Sequence, residues 1–501
     1  MDISTLRLFS IIYLLVPNLF FFAYWTNPFI CLAGIALLGY QLYREVRDKE
    51  FTTADRISGK DLLSVGLLSL VIILFSGIGG FAYQTVDHWA HNVKFYELYL
   101  TSWPLVDQKS DSIISYYFGY YVVPAVIFKM FGGVSGIVMI AWAWAGLFLG
   151  LLWISSILKG KIWLLPVVIC AGDLVHFFVS SLKLLSIDLY HYKDFRIGFW
   201  SAYESFFWAP NQVIPALLLA GMLVYMIEHE TDLLKMVFPI SLSFWWAVFP
   251  GFFIAVYVIV LVILKLLKNP RLFAGYLLRS DVWIPVLTCI PVFIFYMSKQ
   301  SYPVSGWAWG RITDFGNFFR EYALNIVVNL SFLLGVYFFF RKRIARSLPL
   351  YPLIVLVFLT ILFSFYQGGE LNDFLFRGMI PFLVIFGIYM VYPLSGMTFR
   401  QFTLLIKGSK TVGAVVIFVL CATLFLGISR TTRALVNNRL TASAGLSSFN
   451  RIPFDKYSRV YDVLVDYWSE EGAQQYQGMK GSFYEKYIAP KNIIRGKSDV
   501  D

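Results

Sequence analysis

The sequence predicts an all-α polytopic integral membrane protein, and three observations carry that prediction. Of its 501 residues, 58% are hydrophobic and only 14% charged, against about 25% charged in a soluble domain. The mean hydropathy is +0.69. Apolar runs of roughly 17–22 residues recur, which is bilayer-spanning length for a helix. The short alternating segments of a membrane β-barrel are absent.

The runs can be taken in order. Leu8–Tyr24, Phe29–Leu42 and Leu62–Gly80 come first, and the link Arg44–Lys60 holds Arg44, Arg47, Lys49, Arg56 and Lys60. Cations collect in cytoplasmic loops, so this link lies inside and the third run exits outward. Tyr116–Phe131 is apolar and aromatic, and is either a full crossing or a re-entrant segment. Ser135–Ile157 and Ile162–Leu182 precede a polar stretch, Asp188–Asn211. Gln212–Met226 follows, then the charged link Glu228–Lys235. Val237–Val248 and Phe252–Leu267 read as two passes turning at Pro250-Gly251. Val282–Met297, Leu324–Phe340, Leu353–Phe365, Phe376–Val391 and Val412–Leu426 complete the set, with Arg341, Lys342, Arg343 and Arg346 the clearest inside signal. The total is about 12 to 13 crossings. The chain divides into a transmembrane domain over 1–429, with an outer loop over 81–115, and a polar outer tail over 430–501, short for an independent core.

The formal net charge of +11 fits cytoplasmic loops rather than nucleic-acid binding. Cys31, Cys170, Cys289 and Cys421 stand singly in apolar sequence, with no CxxC and no disulfide framework. The first run has no AxA-like cleavage pattern and reads as retained. A Walker motif, a GxGxxG opening a helix after a strand, and GxSxG are all missing, which argues against ATP-driven transport by this chain alone. No transporter-like internal repeat is visible.

Three polar islands interrupt the apolar sequence. The first is Asp87-His88-Trp89-Ala90-His91-Asn92-Val93-Lys94, with two of the five histidines. As a helix it places Asp87, His91 and Lys94 on one face and Trp89, Val93, Tyr96 and Leu100 on another. That is an amphipathic helix along the outer membrane surface, stopped by Trp103-Pro104. Its polar face suits general-base work. Asp87 with His88 or His91 is alternatively the start of a divalent metal site for Mg²⁺ or Mn²⁺, or the face simply meets water. The second island is Asn372-Asp373 to Arg377, an i,i+4 pair opening a span. Arg377 suits a phosphate, which its planar fork binds bidentately, or is the partner of a structural pair with Asp373. The third is Trp208-Ala209-Pro210-Asn211-Gln212. Its two amides suit sugar hydroxyls, or Asn211 caps the helix. Glu204 is a candidate second carboxylate. Arg311 with Asp314, and Lys193 with Arg196, read as loop charges. His176 reads as a core residue and His229 as incidental.

Asp87 through His91-Asn92 to Trp103-Pro104, then Ser115-Tyr116-Tyr117-Phe118-Gly119-Tyr120-Tyr121-Val122-Val123-Pro124-Ala125, together with Asn372-Asp373 to Arg377 and Ile380-Pro381, is similar to a group of bacterial membrane proteins with a GT-C-like layout. The chain resembles the polytopic GT-C glycosyltransferases, which use polyprenyl-phosphate sugars and carry an essential Asp in the first outer loop. Here Asp87 matches that Asp, although three runs precede the loop rather than one. The resemblance implies transfer of a sugar from a polyprenyl-phosphate donor to a glycan, lipid or protein acceptor of the cell envelope, on the outer face of the cytoplasmic (inner) membrane. It assigns Asp87 to catalysis, and on this reading His91 helps Asp87 to deprotonate or orient the acceptor hydroxyl. His88, Asn92, Lys94, Trp103, Asn211, Gln212, Arg311, Asp373 and Arg377 would contact donor or acceptor. The rival readings are a transporter or flippase of a lipid-linked glycan, and a non-catalytic subunit of an envelope assembly complex. A cavity joining Asp87 to Arg377 favours the enzyme, because reacting groups must come within near-contact range.

Overall fold

The computed structural model describes every residue except 49–50, 52–55, 108–111, 173, 176–177, 179–181, 183–185, 187–196, 273–274, 277–278, 300–304, 311, 345, 370–371 and 492–501. The protein is a helical bundle, and nine helices among the described residues are long and apolar enough to cross a membrane. Helix Gly59–Phe75 and the shorter apolar helices Gly119–Phe131, Leu233–Ser243 and Leu350–Phe363 complete it. Two short strand pairs, Val106–Asp107 with Ser112–Ile113 and Ser305–Trp307 with Tyr366–Gly368, are antiparallel.

Burial sorts the helices. Every residue in the apolar window of Pro210–Glu228 is buried, and nearly all of Asp373–Gly396, whereas Pro28–Arg47 is mostly exposed. A helix apolar on all sides and enclosed by protein is a central one. Gly136–Ile157 packs on Pro210–Glu228 through small residues. A Cβ at Gly221 would stand 2.5 Å from the Trp153 Cβ, and one at Gly150 would stand 2.9 Å from the Leu217 Cβ. Such close approach drives helix association where lipid tails are as apolar as leucine.

One end of the bundle is held by ion pairs, Arg7 with Glu45 at 2.8 Å, Arg44 with Asp281 at 2.6 Å and Arg346 with Glu228 at 2.7 Å. The island helix Asp87–Leu100, the strand pairs and the C-terminal segment gather at the other end.

Several expected boundaries move. The run Leu62–Gly80 stops being α-helical at Phe75, since Gly77, Gly79 and Gly80 all take positive φ, which glycine adopts without a Cβ clash. That turn redirects the chain into the island helix. Gly119–Phe131 has 13 residues, about 20 Å of helix, too short to cross alone. Pro250-Gly251 lies inside the first turn of Val248–Lys268 rather than at the turn between passes. A proline costs no hydrogen bond there, because first-turn amides have no helical acceptor. The break comes instead at the buried Trp245-Trp246-Ala247, with Ala247 extended. The last long helix, Lys410–Val436, continues through the expected boundary at residue 429.

The close packing makes a prediction. Gly221→Val should lower the thermal midpoint by an amount matching about 1–3 kcal/mol of overpacking. Gly335→Ala, where an added Cβ meets nothing within 4 Å, should leave it unchanged or raise it. A Gly221→Val protein as stable as the parent would contradict the close approach of these helices.

Candidate functional site

The three islands meet. Asp87, His91, Lys94, Asn211, Asp373 and Arg377 line one cavity of about 100 Å³, with Tyr116, Trp208 and residues of the C-terminal segment closing it.

The island is helical over Asp87–Leu100, as expected, but it is not a surface helix with a wet polar face. His88, His91, Asn92, Lys94 and Glu97 are all buried. Ala90 and Val93 pack under Val460, Val463, Leu464 and Ala473, and Trp89 stacks on Tyr467 with ring centroids 5.3 Å apart. The tail supplies a second apolar cover, so the helix is enclosed between bundle and tail.

Asp87 opens that helix, where a carboxylate complements the N-terminal dipole. Among the described residues it has no hydrogen-bond or ion-pair partner in the protein. Burial raises its pKa from 3.8 to about 6, with Arg377 and Lys94 opposing the rise and Asp373 adding to it. Two turns on, the Lys94 Nζ lies 3.8 Å from the centroid of the Tyr116 ring and 5.5 Å from that of Tyr121. It is 3% exposed, and burial lowers its pKa to about 7. An ammonium held on aromatic faces keeps its hydrogens available to a ligand.

Asp373 begins helix Asp373–Val391, and its Oδ1 pairs with Arg377 Nε at 3.1 Å. Arg377 Nη1 donates to the Tyr117 hydroxyl at 2.6 Å. Two anchors fix the guanidinium plane, and Nη2 has no protein acceptor among the described residues. Asn211 sits in the first turn of Pro210–Glu228. The helix is capped at Ala209, so Asn211 is not the cap. Its amide nitrogen is buried, unpartnered and on the cavity wall.

His91 reaches the cavity with both ring nitrogens engaged. Nε2 is 2.8 Å from the Trp208 carbonyl and Nδ1 is 2.5 Å from the Tyr121 hydroxyl. A carbonyl only accepts, so Nε2 carries the proton and Nδ1 accepts from Tyr121. Burial, then the Lys94 and His88 charges, hold the imidazole neutral. It has no nitrogen left for an acceptor proton, so it positions Trp208 and Tyr121. Trp208 Nε1 donates to Glu204 at 3.2 Å, and Glu204 pairs with Arg430. Glu204 is thus a prop behind the wall rather than a second carboxylate within it.

Other expected contacts lie away from the cavity. The His88 ring packs against the Gly77 turn, and Asn92 Nδ2 donates to the Ile452 carbonyl at 3.1 Å. Trp103 packs on Phe20, Tyr24 and Trp25, with Lys129 over its ring. Gln212 is fully buried next to Asn211 but off the cavity wall. Asp314 caps Phe315–Tyr322, and His229 bonds its own helix at Tyr225. Arg311, Lys193, Arg196 and His176 lie outside the described residues.

For a metal, no three His, Cys, Asp or Glu side chains cluster among the described residues. Asp373, the second cavity carboxylate, is already paired with Arg377. The donor set does not fit a dedicated protein cage for Mg²⁺ or Mn²⁺.

A second cavity adjoins the first. It measures about 560 Å³, is walled largely by aromatic and aliphatic side chains such as Phe249, Phe252, Phe293 and Trp307, and has Lys299 on its wall. Tyr116, Gly369, Asp373, Gln475 and Tyr476 line both. No protein-family model matches the chain, and no curated protein or solved structure matches it either.

The tail is fastened by buried carboxylates. Glu97 accepts from the Val460 amide at 2.8 Å and Asp107 from Gln477 at 2.9 Å. Burial raises the Glu97 pKa from 4.5 to about 7, opposed by Val460 and Arg459 and reinforced by Asp107 and Asp462. The docked state therefore holds its proton more tightly than the undocked one. Docking is strongest below pH 4.5 and weakens as pH rises towards about 7. Limited proteolysis of the tail should accelerate across that window, and Glu97→Gln should flatten the dependence. A tail equally resistant at both ends of the window would contradict this account.

Proposed function

We propose that the protein is a GT-C-like glycosyltransferase that moves a sugar from a polyprenyl-phosphate donor to an envelope glycan, lipid or protein acceptor. The reaction takes place on the outer face of the cytoplasmic membrane. One observation carries this reading. A small cavity with an unpaired carboxylate and two cations opens beside an apolar aromatic groove, and the two share a rim. The groove suits a hydrocarbon chain. The rim, with Asp373 and its partner Arg377, suits the phosphate at the end of that chain. Asp87, across the cavity, suits the acceptor hydroxyl. A transporter needs none of these asymmetries. Its polar sites favour the bilayer midplane and repeated halves.

In this mechanism the acceptor hydroxyl gives its proton to the Asp87 carboxylate as its oxygen attacks the anomeric carbon. The bond from that carbon to the phosphate oxygen breaks, and the electron pair leaves with the phosphate. Arg377, through Nη2, and Lys94 stabilise the charge that grows there. Tyr117 and Asp373 hold the guanidinium in place beforehand. His91 keeps Trp208 and Tyr121 in position. A lipid-phosphate leaving group requires no nucleotide-binding motif, which agrees with the lack of one.

Three measurements test the reading. Asp87→Asn, which keeps the shape, should cut sugar transfer from polyprenyl-phosphate donors about 10²–10⁴-fold and leave binding of polyprenyl monophosphate intact. Unchanged turnover would remove Asp87 from catalysis. The profile of kcat/KM should fall on the acid side near pH 6, where Asp87 takes up its proton. A profile flat through that pH would mean that its ionised form is not required. Arg377→Lys keeps the charge but loses the fork, and should weaken polyprenyl monophosphate binding about 10-fold or more. Unaltered affinity would place the phosphate elsewhere.

A further inference from the structure

The two walls of the polar cavity differ in chemistry. The bundle wall carries all of its formal charge, on Asp87, Lys94, Asp373 and Arg377. The wall contributed by the C-terminal segment carries none. It consists of Leu464, Trp468, Ser469, Gly472, Gln475 and Tyr476. Trp468 is 38% exposed, and its nearest ring neighbour, Tyr467, lies 6.2 Å away. Gln475 spends its amide nitrogen on the Gly472 carbonyl at 2.7 Å, while its amide oxygen has no protein donor among the described residues. The Ser469 oxygen accepts from the Gly472 amide at 2.9 Å, and its hydroxyl hydrogen is left to donate.

This wall is held firmly in place. The Ser115 amide donates to the Tyr476 carbonyl, the Gly478 amide to the Ile113 carbonyl, and the Met479 amide to the Ser298 carbonyl, at 2.7–2.8 Å. Main-chain bonds thus stitch Tyr476–Met479 to the bundle on both sides. Tyr476 and Gln475 also line the groove, so this segment marks the boundary between groove and cavity.

We propose that the C-terminal segment is the carbohydrate subsite, and that Trp468, Ser469 and Gln475 bind one uncharged sugar ring of the donor. The inference rests on the function proposed above and adds to it the orientation and size of the substrate. An indole face suits the apolar C–H face of a pyranose, since aromatic faces are electron-rich and C–H edges positive. An amide oxygen and a hydroxyl hydrogen suit ring hydroxyls, which both donate and accept. The phosphate must then lie on the charged bundle wall. The enclosed space, about 100 Å³, is smaller than the roughly 150 Å³ of an engineered cavity that holds benzene, so it admits at most one ring, lying on the open side beside the exposed Trp468. Charged sugars find no counter-charge on this wall and are disfavoured.

The test compares binding of sugar-free polyprenyl monophosphate with that of polyprenyl-phosphate hexoses and pentoses, using the full-length protein in detergent or nanodiscs. Trp468→Ala should weaken the sugar-bearing lipids about tenfold and leave the sugar-free lipid unchanged, since Trp468 lines the cavity and not the groove. Trp468→Phe should restore most of the loss, since the stacking face survives. Equal weakening of both lipids by Trp468→Ala, or none, would overturn the subsite. A parent protein that binds no polyprenyl monophosphate at all would overturn the underlying reading instead. Retained protease resistance of the tail in each variant shows that the wall is still docked. A variant with a loosened tail is replaced by Ser469→Ala, for which the same two outcomes apply.

Discussion

A charged group taken out of water needs a partner, and that requirement organises both ends of this bundle. At one end it is met in pairs, such as Arg7 with Glu45 and Arg346 with Glu228. At the other it is met only in part. Arg377 has Asp373 and Tyr117, whereas Asp87 has neither a hydrogen bond nor an ion pair among the described residues, and Lys94 rests on aromatic rings. Buried charge left without a direct partner is costly to keep. Such groups concentrate where a ligand completes the set.

The architecture makes that incomplete set tolerable by surrounding it. The Gly77–Gly80 turn delivers the island helix onto Gly119–Phe131. Pro210–Glu228 presents Asn211 from the first turn of a fully enclosed helix. The tail then closes the remaining side through Val460, Val463 and Leu464. His91, Trp208, Glu204 and Arg430 form a bonded chain from the cavity wall to the base of the tail. Packing therefore holds the charged groups at fixed positions that their mutual electrostatics alone would not select. The same enclosure leaves the Arg377 side chain only 20% exposed, and lower local polarity strengthens whatever the charges do to a ligand.

Sequence periodicity revealed the part of this that is local. The spacing of Asp87, His91 and Lys94, and of Asp373 and Arg377, gave both helices, and the Asp373–Arg377 pair forms as expected. The apolar runs marked most spanning helices to within a few residues. What periodicity could not show is what a helix packs against. The island was amphipathic by pattern, so it read as a surface helix. Only the folded tail, far along the chain, shows why Asn92 and Glu97 are buried, and only the Gly77 turn shows why His88 is. Likewise His91 looked like a base until Tyr121 and the Trp208 carbonyl took both its nitrogens, and Trp103 looked like a ligand contact until its place among Phe20, Tyr24 and Trp25 was seen. Trp468, Ser469 and Gln475 lie in the polar tail and belong to none of the three islands, so no motif marked them.

The central claim is that the cavity and the groove are one ligand site, with a lipid phosphate at their shared rim. An experimental structure with bound polyprenyl monophosphate tests it most directly. The account predicts phosphate density within hydrogen-bond reach of the Arg377 guanidinium, and continuous chain density along Phe249, Phe252 and Phe293. Density for the lipid elsewhere on the bundle, with the cavity and groove empty, would contradict it.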